Sequence, residues 1–316
     1  MKCPKCGHQR AGSEPVPAWQ CPACGIAYNK FQSPSSSPAC PPRQDSTEIT
    51  PKVTFSPGVT FRKVRILLLT LILIGVALDS WLTAMRATDW EDSLWVVVYP
   101  INADGGPETA RYLTTLNDAT FAPIQDFFSD QAKHYGVGLR RPVEMRLGPV
   151  LKQHPPLPPV HGNVLEVMWW SLRLRYWSAV NDDYDGPRPD IRVFVLFNKP
   201  EKGKRLPHST GLKKGMVSVV HAFASSDMAG SNNVVITHEM LHTLGATDKY
   251  DLTTGQPIYP QGYAEPGREP LYPQRYAEIM GGYIPRSRAE SSIPESLGQT
   301  LVGAATAREI GWQEVH

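Results

Sequence analysis

One short stretch constrains this chain more than any other, because it reads H-E-x-x-H-x-x-G-x-x-D. Its histidines, His238 and His242, are four residues apart and would project from one face of a helix, so both imidazoles can reach one metal ion. Gly245 can adopt a positive φ, and it can thereby end the helix and turn the chain back. Asp248 then arrives as a third ligand and leaves the fourth position to water, as catalytic zinc requires.

Acidic residues around the two histidines supply a base and several alternative ligands. Glu239 directly follows the first histidine, where its carboxylate can act as general base on zinc-bound water. Asp251 is a weaker alternative to Asp248 on the same turn, and Glu265 and Glu269 are more distant alternatives. A proline follows each of these two glutamates and would break a ligand-bearing helix there, so Asp248 is preferred. Without a metal, both histidines would instead be packed core residues.

The extended motif resembles that of the metzincin clan of zinc peptidases, which reads H-E-x-x-H-x-x-G-x-x-H and is followed by a methionine turn. Asp248 departs from the clan's third histidine and is similar to the aspartate of the snapalysin-like bacterial peptidases. Residues 276–283, Y-A-E-I-M-G-G-Y, look like the methionine turn, with Met280 as the apolar floor beneath the metal. An ordinary loop methionine near the core is the alternative. The tyrosine that supports the transition state in some relatives would be Tyr283 or Tyr250.

The resemblance implies an α+β metallopeptidase domain over residues 87–316, with a twisted mixed sheet, an active-site helix and a smaller lower half after Gly245. It also implies an edge strand that holds an extended peptide through backbone hydrogen bonds, for which 216–224 is the candidate. Apolar patterns in the same region are typical of intermixed strands and helices. Strands are predicted over 94–100, 143–147, 191–197 and 216–223, and helices over 109–135, 164–180 and 233–244.

The five cysteines all lie within the first 40 residues. Cys3 and Cys6 form one C-x2-C pair, and Cys21 and Cys24 form a second after fourteen intervening residues. Residues 1–32 resemble a zinc ribbon, in which four thiolates hold a structural zinc because so short a segment cannot fold on its own core. A redox dithiol is the alternative. The ribbon has too few basic residues for a nucleic-acid surface, so its expected partner is a cytosolic protein.

A linker and an apolar segment separate the ribbon from the main domain. Residues 33–60 begin rich in Ser and Pro and are predicted to be a linker. Residues 61–86 are predicted to be a transmembrane helix with a basic flank, because 66–85 carries only the charge of Asp79 and ~20 helical residues cross a bilayer core of ~30 Å. The uninterrupted apolar part, 66–78, is short, so a cleaved signal peptide and a buried core helix are alternatives. The preceding ribbon argues against the first, and the lack of a polar face argues against the second.

Charges on the two sides of this apolar segment predict its orientation. Arg62, Lys63 and Arg65 precede it, and acidic residues follow it closely. The positive-inside rule then puts the N-terminus in the cytoplasm and the metallopeptidase domain outside. The expected localisation is the cytoplasmic membrane, with a single membrane pass and an extracytoplasmic catalytic domain.

Together the motifs predict a membrane-anchored zinc endopeptidase that hydrolyses peptide or protein substrates outside the cytoplasmic membrane. It would contain one catalytic and one structural zinc ion. The formal net charge of +2 gives no sign of a nucleic-acid surface, and no nucleic-acid partner is expected. The alternative function is that of a non-catalytic, zinc-containing membrane protein with a binding or signalling role.

Overall fold

The computed structural model describes most of the chain after residue 56 and parts of the first 27 residues. The described residues are 2, 3, 5–9, 11, 20–25, 27, 57–159, 162–201, 206, 207, 209–213 and 215–312. Internal contacts divide the chain into two units, residues 1–59 and residues 60–316. The predicted linker lies, up to residue 56, outside the described residues.

The first unit contains two tight turns, one at each cysteine pair. Gly7 donates its backbone N–H to the carbonyl of Cys3 at 3.0 Å, and Gly25 donates in the same way to Cys21 at 2.9 Å. A single antiparallel bridge closes the chain around each turn. The two halves of the predicted ribbon therefore share one local geometry.

Helix α1, Pro57–Asp89, is continuous over 33 residues. The side chains of residues 61–75 are all exposed. Among the described residues, no helix combines the length and the apolar character that crossing a membrane requires. The helix predicted at 61–86 is thus present, and its role as a transmembrane span stays a prediction.

A five-stranded sheet forms the centre of the second unit. Its strands are β1 (Leu94–Asn102), β2 (Val143–Leu147), β3 (Ile191–Asn198), β4 (Thr210–Leu212) and β5 (Val217–Phe223). Their order across the sheet is β2-β1-β3-β5-β4, and only β4 runs antiparallel to its neighbour. The domain is therefore a mixed α/β structure with a mostly parallel sheet.

Helices cover both faces of this sheet, which is why its central strands are mostly apolar. The helices are α2 (Pro107–Leu113), α3 (Asp118–His134), α4 (Val164–Val180) and α5 (Ala229–Leu244). Consecutive side chains of a strand point to opposite faces. On β1, Val98 belongs to the main core with Ile236 of α5, whereas Tyr99 belongs to a second core with Leu174 of α4. Helix α5 is thereby seated on the face that contains the larger core.

The edge strand beside α5 is β4, and the prediction of 216–224 for that role is wrong. β5 occupies that sequence, but it pairs with β3 on one side and with β4 on the other. A strand with two neighbours has no free backbone groups for a further strand. Within the described residues, the outer edge of β4 has no neighbouring strand.

After α5 the chain forms short elements only. These are β6 (Ala277–Glu278), β7 (Ile284–Pro285), β8 (Ser291–Ser292), β9 (Thr300–Leu301) and helix α6 (Ala304–Glu309). β6 pairs with β9, and β7 pairs with β8. The predicted methionine turn, residues 276–283, includes β6 and the turn that follows it. This segment lies next to the end of α5 that contains the two histidines.

Candidate metal centre

The two histidines lie on one face of helix α5, and other faces of the helix pack against the core. Met240 and Leu241, which lie between the histidines in the sequence, are fully buried. The helix ends at Gly245, whose φ is +107°, and its N–H donates to the carbonyl of His242 at 3.1 Å. The imidazole rings of His238 and His242 lie one turn apart, with centroids 4.8 Å apart. The helix and its glycine stop agree with the sequence prediction.

Asp248 meets both imidazoles after the turn at Gly245. The Nε2 atoms of His238 and His242 are 3.1 Å apart, and Asp248 Oδ1 is 3.2 Å from each of them. Ligands at ~2.1 Å from a tetrahedral zinc ion lie ~3.4 Å from one another. The three atoms therefore form a triangle of the size that a zinc ion requires. The Asp248 side chain is 33% exposed, so the site is open to solvent.

Backbone carbonyls select the tautomer of each histidine. His238 Nδ1 lies 2.9 Å from the carbonyl oxygen of Ile279, and His242 Nδ1 lies 2.9 Å from that of Ala246. A carbonyl oxygen only accepts, so each Nδ1 is the donor and carries a proton. In a neutral imidazole the lone pair is then on Nε2, which is the atom that faces the triangle. Two imidazole lone pairs and a carboxylate oxygen that converge in this way could hold a metal cation, and this donor set suits zinc.

The charges around the triangle shift two pKa values in opposite directions. Burial by itself would raise the pKa of Asp248. When no metal ion is bound, hydrogen bonds from the Nε2 atoms of His238 and His242 in their protonated form outweigh burial and hold that pKa well below its usual range. Burial raises the pKa of Glu239, against the opposing influence of the two histidines. Glu239 is 7% exposed, and its Oε2 is buried without a hydrogen-bond partner among the described residues. A buried carboxylate with a free oxygen is suited to accept a proton.

The predicted methionine turn lies against the first histidine. Met280 is fully buried in the main core, and the preceding residue, Ile279, supplies the carbonyl that holds His238. On the other side, the Met280 carbonyl accepts the backbone N–H of Lys249 at 2.9 Å. The turn thus contacts both the residue after Asp248 and the ring of His238.

The two candidate tyrosines differ in their distance from the ligands. The ring of Tyr250 lies 6.3 Å from that of His238, measured between centroids. Burial and the charges of Asp248 and Glu239 raise its pKa to about 12, so its hydroxyl keeps its proton and can donate. Tyr283 makes no ring contact with a ligand in the part of the chain that the structure describes.

The alternative third ligands have other partners. Asp251 Oδ1 accepts the backbone N–H groups of Thr253 and Thr254 at 3.0 and 2.8 Å and so closes its own turn. Glu265 is paired with Arg275 through two bonds from Nε. Glu269 is exposed. Of the carboxylates considered as third ligand, Asp248 alone is placed against both imidazoles.

Two residues near the metal centre, Gly211 and Glu278, were not predicted from the sequence. A Cβ at Gly211 would lie 2.3 Å from the backbone oxygen of Glu239, so β4 touches α5 beside the candidate base. Its strand has only three residues, too few to show an alternating pattern. Glu278 is fully buried at the start of the methionine turn. The position of this glutamate within the otherwise uncharged run Y-A-E-I-M-G was the one sequence signal that could have identified it.

The four cysteines of the first unit form a second candidate metal site. Cys3 Sγ lies 3.7 Å from Cys24 Sγ, and Cys6 Sγ lies 3.7 Å from Cys21 Sγ. All four sulfur atoms are within 4.8 Å of one another, and none is in a disulfide. Sulfur ligands at ~2.3 Å from a tetrahedral zinc lie ~3.8 Å apart. The cluster therefore fits a four-thiolate zinc site.

No protein-family model and no curated protein sequence matches this chain. Among solved structures, a chaperone-substrate complex matches at 13% sequence identity, over 69% of this chain and 33% of that chain, with a TM-score of 0.36. A likeness of this size carries no argument about fold or chemistry. The chemistry of the centre therefore follows from its own geometry.

Proposed function

We propose that this chain is a zinc-dependent peptidase whose catalytic domain, residues 87–316, resembles the metzincin clan. The observation that carries the proposal is the buried, unpartnered Oε2 of Glu239 beside three converging ligand atoms. A site that only stabilises a fold needs no such base. A packed protein core normally pairs every buried carboxylate oxygen, so an unpaired one calls for a functional explanation.

The proposed chemistry divides between the ligands and the base. His238, His242 and Asp248 would hold zinc with two neutral ligands and one negative ligand. When bound, zinc would polarise the scissile carbonyl and lower the pKa of water towards 7. Glu239 takes the proton of the attacking water and returns it to the leaving amine. Because burial raises its pKa, Glu239 is a stronger base than an exposed glutamate.

The proposed substrate is an extended peptide bound along the outer edge of β4. Edge strands offer free backbone N–H and C=O groups, which pair with a peptide in strand conformation. Gly211 of β4 lies against Glu239 and His242, so a peptide on this edge would pass close to the base. Tyr250 is proposed as the donor that supports the transition state, and Tyr283 is the weaker candidate because it lacks a contact with the ligands.

Replacement of the proposed base tests the function directly. Glu239→Gln in the full chain should lower the hydrolysis of a peptide library, followed by mass spectrometry, by about 10²–10⁴-fold. Both proteins should retain zinc at the histidine site and at the cysteine site, counted per chain. Asp251→Asn is a matched control that removes a carboxylate from the same turn and should leave turnover unchanged. Undiminished turnover in Glu239→Gln, or wild-type protein without zinc at the histidine site, would overturn the proposal.

The remaining assignments stay predictions. We propose that the cysteine site of residues 1–32 holds a structural zinc and contacts a cytosolic protein. An anchor in the cytoplasmic membrane, with the catalytic domain outside, rests on the sequence of residues 61–86 and its flanks. Cell fractionation combined with protease accessibility would test that localisation.

A further inference from the structure

Lys249, the residue after Asp248, is a buried and fully paired cation. Its side chain is 3% exposed. Its Nζ donates to the backbone oxygen of Thr247 at 2.7 Å, to Thr247 Oγ1 at 2.8 Å and to Glu309 Oε2 at 2.7 Å. An ammonium group has three protons, so each has an acceptor. A buried ammonium is tolerated only with such partners, which makes Lys249 dependent on Glu309.

Glu309 also holds the residue before Asp248. Its Oε2 accepts the backbone N–H of Thr247 at 2.9 Å, and its Oε1 accepts Thr247 Oγ1 at 2.7 Å. One carboxylate at the end of α6 therefore binds both neighbours of Asp248. The backbone N–H of Lys249 is held separately by the carbonyl of Met280.

We infer that Glu309 is a positioning residue for the third metal ligand, acting on Asp248 through Thr247 and Lys249. The inference rests on the proposed metal centre. A carboxylate on a free loop would have to be ordered when the metal binds, at a cost in conformational entropy. A loop already held on both sides of Asp248 avoids that cost. Groups that orient metal ligands in this way typically change metal affinity by about 10–100-fold.

A purely structural role for Glu309 is disfavoured by how α6 is held. Ala307 and Ile310 are fully buried in the main core, together with Trp312. The carbonyl of Ile310 also accepts the indole N–H of Trp90 at 2.6 Å. These contacts attach α6 without the carboxylate of Glu309. Loss of that carboxylate should therefore release residues 247–249 and leave α6 docked.

The test measures metal affinity in two backgrounds. The probe is Co²⁺ bound to the full chain. Co²⁺ at the cysteine site gives a sulfur-to-cobalt charge-transfer band, and Co²⁺ at the histidine site does not, so the absorbance spectrum separates the two sites. Glu309→Gln should weaken Co²⁺ binding at the histidine site by about 10-fold. In an Asp248→Ala background the same change should have no further effect, because the ligand that it positions is absent. Glu108→Gln, which removes the exposed Lys199–Glu108 pair of 2.6 Å, is the matched control and should not change the affinity.

The outcomes separate this inference from the proposed function. No Co²⁺ at the histidine site of the wild-type protein would overturn the metal centre itself. Binding that depends on Asp248 but is unchanged by Glu309→Gln would overturn the inference alone. An equal loss in both backgrounds would show that Glu309 acts on the fold in general, and it would also overturn the inference.

Discussion

Replacing Glu278 should disconnect the turn at Met280 from the C-terminal part of the domain. Its Oε2 accepts the backbone N–H of Gly281 at 2.7 Å, and its Oε1 accepts the N–H of Gly303 at 3.1 Å and Thr306 Oγ1 at 2.7 Å. The side chain is fully buried, so water cannot replace it. Glu278→Ala leaves the half-buried N–H of Gly303 and the buried hydroxyl of Thr306 without an acceptor, and each unsatisfied donor costs about 1–3 kcal/mol. The N–H of Gly281 keeps only the backbone oxygen of residue 278, at 2.9 Å.

The expected loss in the free energy of unfolding is about 2–5 kcal/mol for Glu278→Ala, and its upper part is near the upper end for single substitutions. Glu278→Gln can keep the Oε1 bonds to Gly303 and Thr306, but it turns an amide N–H towards the N–H of Gly281. One donor is then unsatisfied, and the expected loss is about 1–3 kcal/mol. The alanine variant should also weaken metal binding, because Ile279, which holds His238, is the next residue in the turn.

Urea denaturation of the full chain, followed by tryptophan fluorescence, measures these losses. The buried Trp90 and Trp312 report on the packing of the second unit. Glu144→Gln is the control, since it removes only two ion pairs of 3.6 Å with Arg141 and Arg146 and should cost less than about 1 kcal/mol. A loss below about 1 kcal/mol for Glu278→Ala, or a loss no larger than that of Glu278→Gln, would refute the reasoning.

Two further changes test the edge strand and an ion pair. Gly211→Ala would place a methyl group 2.3 Å from the backbone oxygen of Glu239 and should destabilise the fold by about 1–3 kcal/mol. Thermal denaturation measures this loss, with Gly138→Ala as the control because the space around its Cβ is open. Equal melting temperatures for the two variants would contradict the close approach of β4 to α5. The hydrogen bond from Arg275 lowers the pKa of Glu265 below its ordinary 4.5, so the pair stabilises the fold above that pH and the benefit disappears as the pH falls through the lowered pKa. Unfolding titrations should therefore show Glu265→Gln less stable than wild type at pH 7 and equal to it once the pH is below the lowered pKa of Glu265. A difference in stability that persists in acid would contradict this.

Several features could be predicted from the sequence because they depend on neighbours within a few residues. The spacing of His238 and His242 determines that they share a helix face, and Gly245 determines where that helix ends. The buried strands β1 and β3 were predictable because both faces are covered and their sequences are mostly apolar.

Helical spacing and turn chemistry are local properties, so the amino-acid pattern is enough to identify side chains that could bind a metal. Their orientation depends on contacts between distant parts of the fold. The carbonyl of Ile279 that sets the tautomer of His238 lies 41 residues away in the chain, and Glu309 lies 62 residues from Thr247. Hydrogen bonds over such separations leave no periodic trace in a sequence, because they form only after packing has brought β4, the methionine turn and α6 around the end of α5.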